Sequence, residues 1–400
     1  MLLLVLITIS LILGPLGQVP LGNPEIHIYL PDIIASGLIV YWLSKFSELR
    51  KFIRADPIAK WFIVFASVAL VSLVATPILL SPDQRLIAGL YLLRFVSYFF
   101  YYVTIRNLIK AKQIGPNQVL NTLIVSGVSL SVIGWLQYLI YPDLRNLFYL
   151  GWDPHLNRIF STYFDPNFLG LMLVLTLIAM LVRSNSSTSE ESLRATIRGG
   201  FSLVLILVAS LVFVTLAFTY SRGSYLALVA AVLYWSFVKR NFTLLGALLG
   251  VLILAVVLLP RSGGHGVLLE RTFSIEQRIE NFRQGISLFT KYPLLGTGFN
   301  TLRYAKQTYR VYSDNPIEDH SGAGFDNSFL FVAVTTGVVG LIAYLLLLNY
   351  VFVNVGLVAK VSIVASIVHA MFVNSLFFPW VMLWLWVIVA SDRVKESRSL

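Results

Sequence analysis

The chain has 400 residues, of which 57% are hydrophobic and only 12% are charged, and its mean hydropathy is +0.80. Soluble chains carry about 25% charged residues, so this composition excludes a soluble multidomain enzyme. The absence of cysteine excludes disulfides, thiolate catalysis and cysteine metal sites. A net charge of +11 in a soluble protein would suggest nucleic-acid binding. In a membrane protein, Lys and Arg residues that fix topology explain it better, and we expect no nucleic-acid partner.

Hydrophobic segments long enough for membrane helices recur along the whole chain. In chain order they cover residues 2–19, 29–44, 61–80, 86–105, 118–140, 166–182, 201–219, 223–238, 242–260, 327–348, 353–374 and 377–391. The sequence therefore predicts an all-α polytopic membrane protein with about 12 transmembrane helices. We interpret residues 1–400 as a single integral membrane domain.

Lysine and arginine are unevenly distributed over the loops between these segments. If the N-terminus is cytoplasmic, more than half of the 30 Lys and Arg residues fall in inner loops. The short outer loops then hold Arg85, Arg145, Arg158 and Arg222. The positive-inside rule therefore predicts that both termini are cytoplasmic. The long loop 261–326 lies on the outer face, where we expect any chemistry to occur.

The outer loop 261–326 contains the pattern of an amphipathic helix. Apolar residues recur there at spacings of four and three residues: Ile275, Ile279, Phe282, Ile286 and Phe289. Such a helix lies flat on a membrane, with Arg278 and Arg283 on the two flanks of its apolar stripe. These arginines either extend to the membrane surface without a specific ligand or hold a lipid-borne phosphate. The turn Pro293–Gly298 that follows is a weak phosphate-loop signal.

Arg222, Asp32 and Arg94 are charged residues in or beside the predicted spans. Arg222 lies in a connection so short that it must be at the outer membrane surface, where an arginine needs a partner or a polar cavity. It is either an interfacial anchor or a functional residue. Asp32 and Arg94 lie within spans, and we expect them to form a structural ion pair or to line a cavity.

Four sequence blocks occur in an order typical of one protein family. They are Arg158-Ile-Phe-Ser-Thr-Tyr-Phe-Asp-Pro-Asn-Phe-Leu-Gly, Phe218-Thr-Tyr-Ser-Arg-Gly-Ser-Tyr-Leu-Ala-Leu, the stretch from Arg278 to Pro293-Leu-Leu-Gly-Thr-Gly-Phe, and Asp326-Asn-Ser-Phe-Leu with Gly337-Val-Val-Gly. With them the chain resembles the O-antigen ligase/polymerase superfamily of bacterial polysaccharide assembly. Each block alone is a weak signal, but four in order are specific. The resemblance covers residues 158–340, and the N-terminal spans match in hydropathy only.

The resemblance implies a GT-C type membrane glycosyltransferase with a catalytic region at 158–348. Such enzymes take a glycan from undecaprenyl pyrophosphate on the periplasmic side of the bacterial inner membrane. They attach the glycan, with inversion, to lipid A–core, to another lipid-linked glycan or to a protein. The family's usual scheme needs no metal and no other cofactor. Membrane lipid is a further expected partner.

The resemblance also implies roles for individual residues. Arg222 matches the arginine of the family's Ser-Arg-Gly motif, and Arg278 matches the loop-helix arginine, with Arg283 as a second candidate. These side chains would neutralise the charge that grows on the pyrophosphate leaving group. Ligases usually have a histidine as general base at the start of the fourth block, where this chain has Asp326. Asp326 is one candidate base, and His320 upstream is another.

Each of these assignments has a structural alternative. Asp326 is also a candidate N-cap for the helix that follows. His320 is alternatively a solvated loop histidine. Asp165 and Asn167 either contact the glycan substrates or form a proline-initiated helix start. Asn327 is a further candidate for substrate contact.

The missing ligase histidine favours a polymerase of O-antigen or exopolysaccharide over a ligase. The alternative function is a transporter of an anion or of a lipid-linked glycan, because basic residues on the outer face attract anions. The sequence shows no internal repeat, which is unusual for an inverted-repeat transporter. An inactive structural member of a polysaccharide-assembly complex is a third possibility.

Overall fold

The computed structural model describes residues 1–20, 26–150, 152–186, 200–260, 267, 273–309 and 324–393. Helices dominate these residues. In chain order they are α1 (Leu2–Leu13), α2 (Leu30–Ser44), α3 (Phe46–Ala55), α4 (Pro57–Val74), α5 (Pro82–Lys110), α6 (Pro116–Ile140), α7 (Pro166–Ser186), α8 (Gly200–Ala217), α9 (Arg222–Lys239), α10 (Phe242–Leu258), α11 (Phe273–Lys291), α12 (Leu302–Tyr309), α13 (Ser328–Val353), α14 (Leu357–Ala370) and α15 (Pro379–Ser391).

Every predicted hydrophobic segment overlaps one of these helices. Among the described residues, α4, α5, α6 and α13 are long and apolar enough to cross a membrane, and further apolar helices are shorter. The all-α polytopic membrane class follows from these helices; the number of twelve spans stays a prediction. The sequence analysis did not predict one antiparallel hairpin, formed by β1 (Gln18–Pro20) and β2 (His27–Tyr29).

The helices form two compact units. The first unit contains residues 1–17, 114–271 and 356–369. Within it, α6 packs against α1, α7 and α8, and α7 packs against α9. Small residues allow these close contacts, as is common between membrane helices. A Cβ atom at Gly127 of α6 would come within 1.9 Å of Thr176 Oγ1 on α7, so only glycine fits there.

The second unit contains residues 18–113, 272–355 and 370–400. Its main contacts are those of α13 with α4 and of α15 with α5. Stacked aromatic rings fill its interior, and the ring centroids of Phe62 and Phe99 are 4.1 Å apart. The expected Asp32–Arg94 ion pair forms here: Arg94 Nε donates to Asp32 Oδ1 at 2.9 Å, and Arg94 Nη2 donates to Asp32 Oδ2 at 2.8 Å.

A kink in α13 holds the glycine turn of residues 293–298. Gly337 has φ 66° and ψ −169°, which interrupts the helix and exposes backbone groups. Thr297 N then donates to Val334 O at 2.9 Å, and Gly298 N donates to Thr335 O at 3.0 Å. On the other side of the kink, Val338 N donates to Pro293 O at 2.8 Å. The kink therefore fixes the turn, and with it the C-terminal end of α11, on α13.

Replacing Gly337 by alanine is expected to lower the free energy of unfolding by about 2–4 kcal/mol, because the left-handed backbone and overpacking both carry a cost. A Cβ atom at Gly337 would lie 2.1 Å from Leu294 O. Thermal unfolding of the purified protein in detergent measures the loss. The control is Gly89→Ala in α5, where a Cβ atom meets no described atom within 4 Å. Equal stability of the two variants would contradict the role of the kink.

Candidate functional site

Asp326 lies just before α13 and is half-buried. Asn281 Nδ2 of α11 donates to Asp326 Oδ2 at 3.3 Å. Burial raises the pKa of the Asp326 carboxyl above its usual range, while Arg278, the hydrogen bond from Asn281 and Lys306 act in the opposite direction. The carboxylate therefore lies in a partly dehydrated, cationic environment. A carboxylate with a raised pKa is better suited to accept a proton near neutral pH.

Asn327, not Asp326, is the N-cap of α13. The Asn327 side chain accepts hydrogen bonds from Phe329 N at 2.8 Å and from Leu330 N at 2.9 Å. Its amide also donates to Met371 O at 3.2 Å. Of the two interpretations of Asp326, the N-cap is thus wrong, because the next residue satisfies the first amides of the helix. The Asp326 carboxylate is turned toward α11 instead.

Helix α11 has two different faces. Gly285 and Leu288 are buried on the face toward α13, and a Cβ atom at Gly285 would come within 2.6 Å of the Leu330 side chain. The predicted apolar stripe lies beside this face and is partly open: Ile279, Phe282 and Ile286 are each about half exposed. An exposed apolar stripe on a helix beside a membrane is suited to contact lipid.

The two arginines of α11 have different surroundings. Arg278 is half-buried and acts electrostatically on Asp326. Arg283 is exposed, and its Nη1 atom lies 4.0 Å from Glu280 Oε2. The geometry therefore groups Arg278 with Asp326 and leaves Arg283 at the surface. The glycine turn after α11 does not offer a phosphate cradle at Thr297 and Gly298, because both amides already bond to carbonyls of α13.

A buried hydrogen-bond network in the first unit joins the first and second sequence blocks. Ser221 Oγ donates to Asn167 Oδ1 at 3.0 Å, and Ser224 Oγ donates to Asn167 O at 3.2 Å. Ser224 Oγ also lies 3.2 Å from His369 Nε2 on α14. Ser221 caps α9, whose first residue is Arg222. The network thus fixes the start of α9, and with it the position of the half-buried Arg222.

His369 was missed by the sequence analysis. It is fully buried and 145 residues away from Ser224 along the chain. No local spacing connects the two residues, and the available sequence signal was only a histidine inside an apolar segment.

His369→Phe is expected to lower the free energy of unfolding by about 1–3 kcal/mol, because it removes a partner of the buried Ser224 hydroxyl. Thermal unfolding in detergent measures the change. The matched variant His369→Gln keeps a hydrogen-bonding side chain and should lose less. A phenylalanine variant as stable as the original protein would show that the network contributes nothing to stability.

Asp165 has the role of a helix cap. Its Oδ1 atom accepts hydrogen bonds from Asn167 N at 2.6 Å and from Phe168 N at 3.4 Å, at the start of α7. Burial raises the pKa of Asp165, and these two amides and Arg158 lower it. Asp165 and Asn167 therefore both have internal partners, as the helix-start interpretation expects. Their predicted contact with substrate stays a prediction.

Asp153, His155 and Asp165 have potential metal-ligand atoms within 4.8 Å of one another. Arg158 Nη1 lies 3.5 Å from His155 Nδ1, and the Arg158 charge acts on Asp165. A cation at this position would be repelled by the guanidinium. The group therefore fits a balanced charge network better than a metal centre.

The predicted site residues fall in both units. Arg278, Arg283, Asp326 and Asn327 belong to the second unit, and Asp165, Asn167 and Arg222 belong to the first. The alternative base His320 lies outside the described residues.

A family model agrees with these observations. Residues 205–345 match the model described as O-antigen ligase. The matched region includes Arg222, Arg278 and Asp326, and it supports the resemblance to the O-antigen ligase/polymerase superfamily. No curated protein matches the chain.

Proposed function

We propose that this chain, whose residues 205–345 match the O-antigen ligase family, transfers a glycan from undecaprenyl pyrophosphate to an acceptor sugar hydroxyl. The family match indicates glycan transfer of the ligase or polymerase type in a bacterial membrane. The donor, the acceptor and the roles of single residues belong to the proposal. We assign the catalytic region to residues 158–348, which include the matched segment.

The surroundings of Asp326 are the observation that supports this proposal most strongly. A half-buried carboxylate with a raised pKa lies beside two cationic residues, Arg278 and Lys306. This reaction requires a general base that accepts the proton of a sugar hydroxyl. It also requires positive charge that stabilises the anionic leaving group. Both are present on adjoining elements of the second unit, α11, α12 and the start of α13.

The proposed reaction is an inverting displacement at the anomeric carbon of the donor. The acceptor hydroxyl oxygen forms a bond to this carbon while its proton passes to the Asp326 carboxylate. The bond between the anomeric carbon and the phosphate oxygen breaks, and its electron pair leaves with undecaprenyl pyrophosphate. The protonated Asp326 then returns its proton to solvent. Cationic side chains stabilise the leaving group, so the scheme does not require a metal.

Arg278 is the first candidate for contact with the pyrophosphate, because it shares the surroundings of Asp326. Arg222 is a second candidate, supported by its Ser-Arg-Gly motif and by its position at the start of α9. A helix N-terminus adds a favourable partial positive charge at that position. Arg283 is a weaker candidate, since it is exposed and lies near Glu280.

We further propose that the protein resides in the bacterial inner membrane with both termini in the cytoplasm. The loop 261–326 and the start of α13 then face the periplasm. This orientation follows from the distribution of Lys and Arg over the loops. It brings Asp326 to the side on which the lipid-linked donor is presented.

Polymerase is our first choice over ligase because Asp326 replaces the usual ligase histidine. Purified protein in lipid nanodiscs is given undecaprenyl-pyrophosphate glycan, in one reaction with lipid A–core and in another without it. A ladder of products without lipid A–core indicates a polymerase. A single product that requires lipid A–core indicates a ligase. Absence of any new glycosidic linkage, with movement of a solute or lipid-linked glycan across the bilayer, would contradict the proposal and favour a transporter.

A further inference from the structure

Helix α12 has a lysine on its buried face. Leu302, Ala305 and Lys306 occupy positions i, i+3 and i+4 of this helix, so they lie on one side of it. All three residues are buried, and Lys306 is only 2% exposed. A lysine is almost never buried to this extent unless its charge has partners. The same burial means that Lys306 offers almost no surface to a substrate.

The partners of Lys306 belong to the segment just before Asp326. Lys306 Nζ donates a hydrogen bond to Gly324 O at 3.3 Å. The ammonium nitrogen also lies 4.7 Å from the ring centroid of Phe325, which is itself buried. A cation over an aromatic face is attracted by the ring, and more strongly so where water is excluded. Lys306 thus fixes the two residues that precede the candidate base.

The chain is also fixed on the other side of Asp326. The Asn327 side chain caps α13 and donates to Met371 O at 3.2 Å. The Asp326 carboxylate itself accepts the hydrogen bond from Asn281. With Lys306 on the preceding segment, the backbone before and after Asp326 has fixed partners. A proton acceptor held in this way needs little rearrangement when the acceptor hydroxyl arrives.

Lys306 also acts on Asp326 through its charge. Burial raises the pKa of the Asp326 carboxyl, and the charges of Arg278 on α11 and Lys306 on α12 lower it. The two cations differ in exposure, since Arg278 is half-buried and Lys306 is buried almost completely. Arg278 therefore has surface for a ligand such as the pyrophosphate. Lys306 can affect the reaction only through the carboxylate.

We propose that Lys306 is a positioning residue for the transfer reaction: it fixes the segment 324–325, and through this segment it keeps the Asp326 carboxylate in the orientation that accepts the proton of the acceptor hydroxyl. Lys306 contacts neither the donor nor the acceptor. Its charge favours the ionised carboxylate, which is the form that can take the proton. The role in the reaction rests on the proposed function, whereas the effect on the carboxyl of Asp326 can be measured without it.

Isotope-edited infrared spectroscopy of the full chain in nanodiscs measures this effect without any transfer reaction. The probe is the stretching band of the protonated Asp326 carboxyl, which is identified by its loss in Asp326→Asn and then titrated across pH. Lys306→Met keeps an unbranched apolar side chain but removes the charge, so the midpoint should rise by about one pH unit or more. Lys306→Arg keeps the charge and should leave the midpoint near that of the original protein. An unchanged midpoint in Lys306→Met would overturn the proposal.

Steady-state kinetics separate positioning from contact with the pyrophosphate. Lys306→Met should lower kcat roughly 10–100-fold, because a misplaced base transfers the proton less well. The KM for undecaprenyl-pyrophosphate glycan should stay nearly unchanged, and the fall in rate at acid pH should move to higher pH. Lys306→Gln can still donate to Gly324 O but has no charge, so it should recover part of kcat and not the pH profile. A loss expressed mainly as a higher KM for the donor would contradict the proposal.

The matched control is Lys291→Met. Lys291 is also in the second unit and lies over an aromatic ring, 3.9 Å from the centroid of Tyr309, but it is exposed. Its replacement should change neither the infrared midpoint of Asp326 nor kcat. If thermal unfolding shows that Lys306→Met does not fold, Lys306→Gln and Lys306→Arg are compared instead, and equal midpoints in these two would overturn the proposal. A raised midpoint in a protein that transfers no glycan would support the effect of Lys306 on Asp326 and reject only the proposed function.

Discussion

Replacement of Asp326 by asparagine is expected to lower the rate of glycan transfer by about 10²–10⁴-fold, the usual contribution of general acid–base catalysis. The amide has nearly the same shape as the carboxylate but cannot accept the proton of the acceptor hydroxyl. The measurement is the initial rate of product formation from undecaprenyl-pyrophosphate glycan by protein purified in nanodiscs.

The control for this variant is its thermal stability compared with that of the original protein. The folded state raises the pKa of Asp326, so it binds the proton more tightly than the unfolded chain does. Any stability contributed by the protonated carboxyl is therefore lost as pH rises through the raised pKa. At neutral pH, Asp326→Asn should be no less stable than the original protein. A slow variant with unchanged thermal unfolding indicates a catalytic role, whereas a slow and unstable variant indicates a structural one.

The pH dependence of transfer provides a second measurement on the same residue. A general base works only when it is deprotonated, so the rate should fall as pH falls through the raised pKa of Asp326. The midpoint of this fall should lie at a higher pH than the usual pKa of an aspartate. Asp326→Asn should no longer show this fall in rate at acid pH. Asp326→His should recover part of the rate, because imidazole can also accept the proton. Normal transfer by Asp326→Asn would exclude Asp326 as the base and leave His320 as a candidate.

Replacement of Arg278 by glutamine is expected to lower the rate of transfer by about 10²–10³-fold, because the leaving pyrophosphate loses a charge that stabilises it in the transition state. Arg278 also lowers the pKa of Asp326, so its removal should move the acidic limb of the pH profile upward. Initial rates measured across pH give both effects from one series. A merely structural role of Arg278 would not move the pH profile in this direction.

Arg283 provides the matched control for Arg278. It is on the same helix, five residues away, but it is exposed and lies near Glu280. Arg283→Gln should reduce transfer much less than Arg278→Gln and should leave the pH profile in place. Arg222→Gln tests the second candidate, with an expected loss similar to that of Arg278→Gln. Normal transfer by both Arg222→Gln and Arg278→Gln would contradict the proposed charge stabilisation.

The sequence by itself determined the membrane class, the helical segments and the order of the four blocks. These features are local, since they depend on runs of apolar residues, on loop charge and on short motifs. The start of α7 at Pro166 and the apolar stripe of α11 are examples, because the period of a helix is present in a few turns of sequence.

The tertiary structure decided which residues meet. Arg278 and Arg283 both flank the apolar stripe of α11, and only the packing of α11 against α13 brings Arg278 to Asp326. The N-cap of α13 is Asn327 and not Asp326. Which side chain reaches the first amides of a helix depends on the direction from which the chain enters it. His369 and Ser224 meet across 145 residues. Contacts of this kind depend on the packing of distant helices, which local periodicity does not encode.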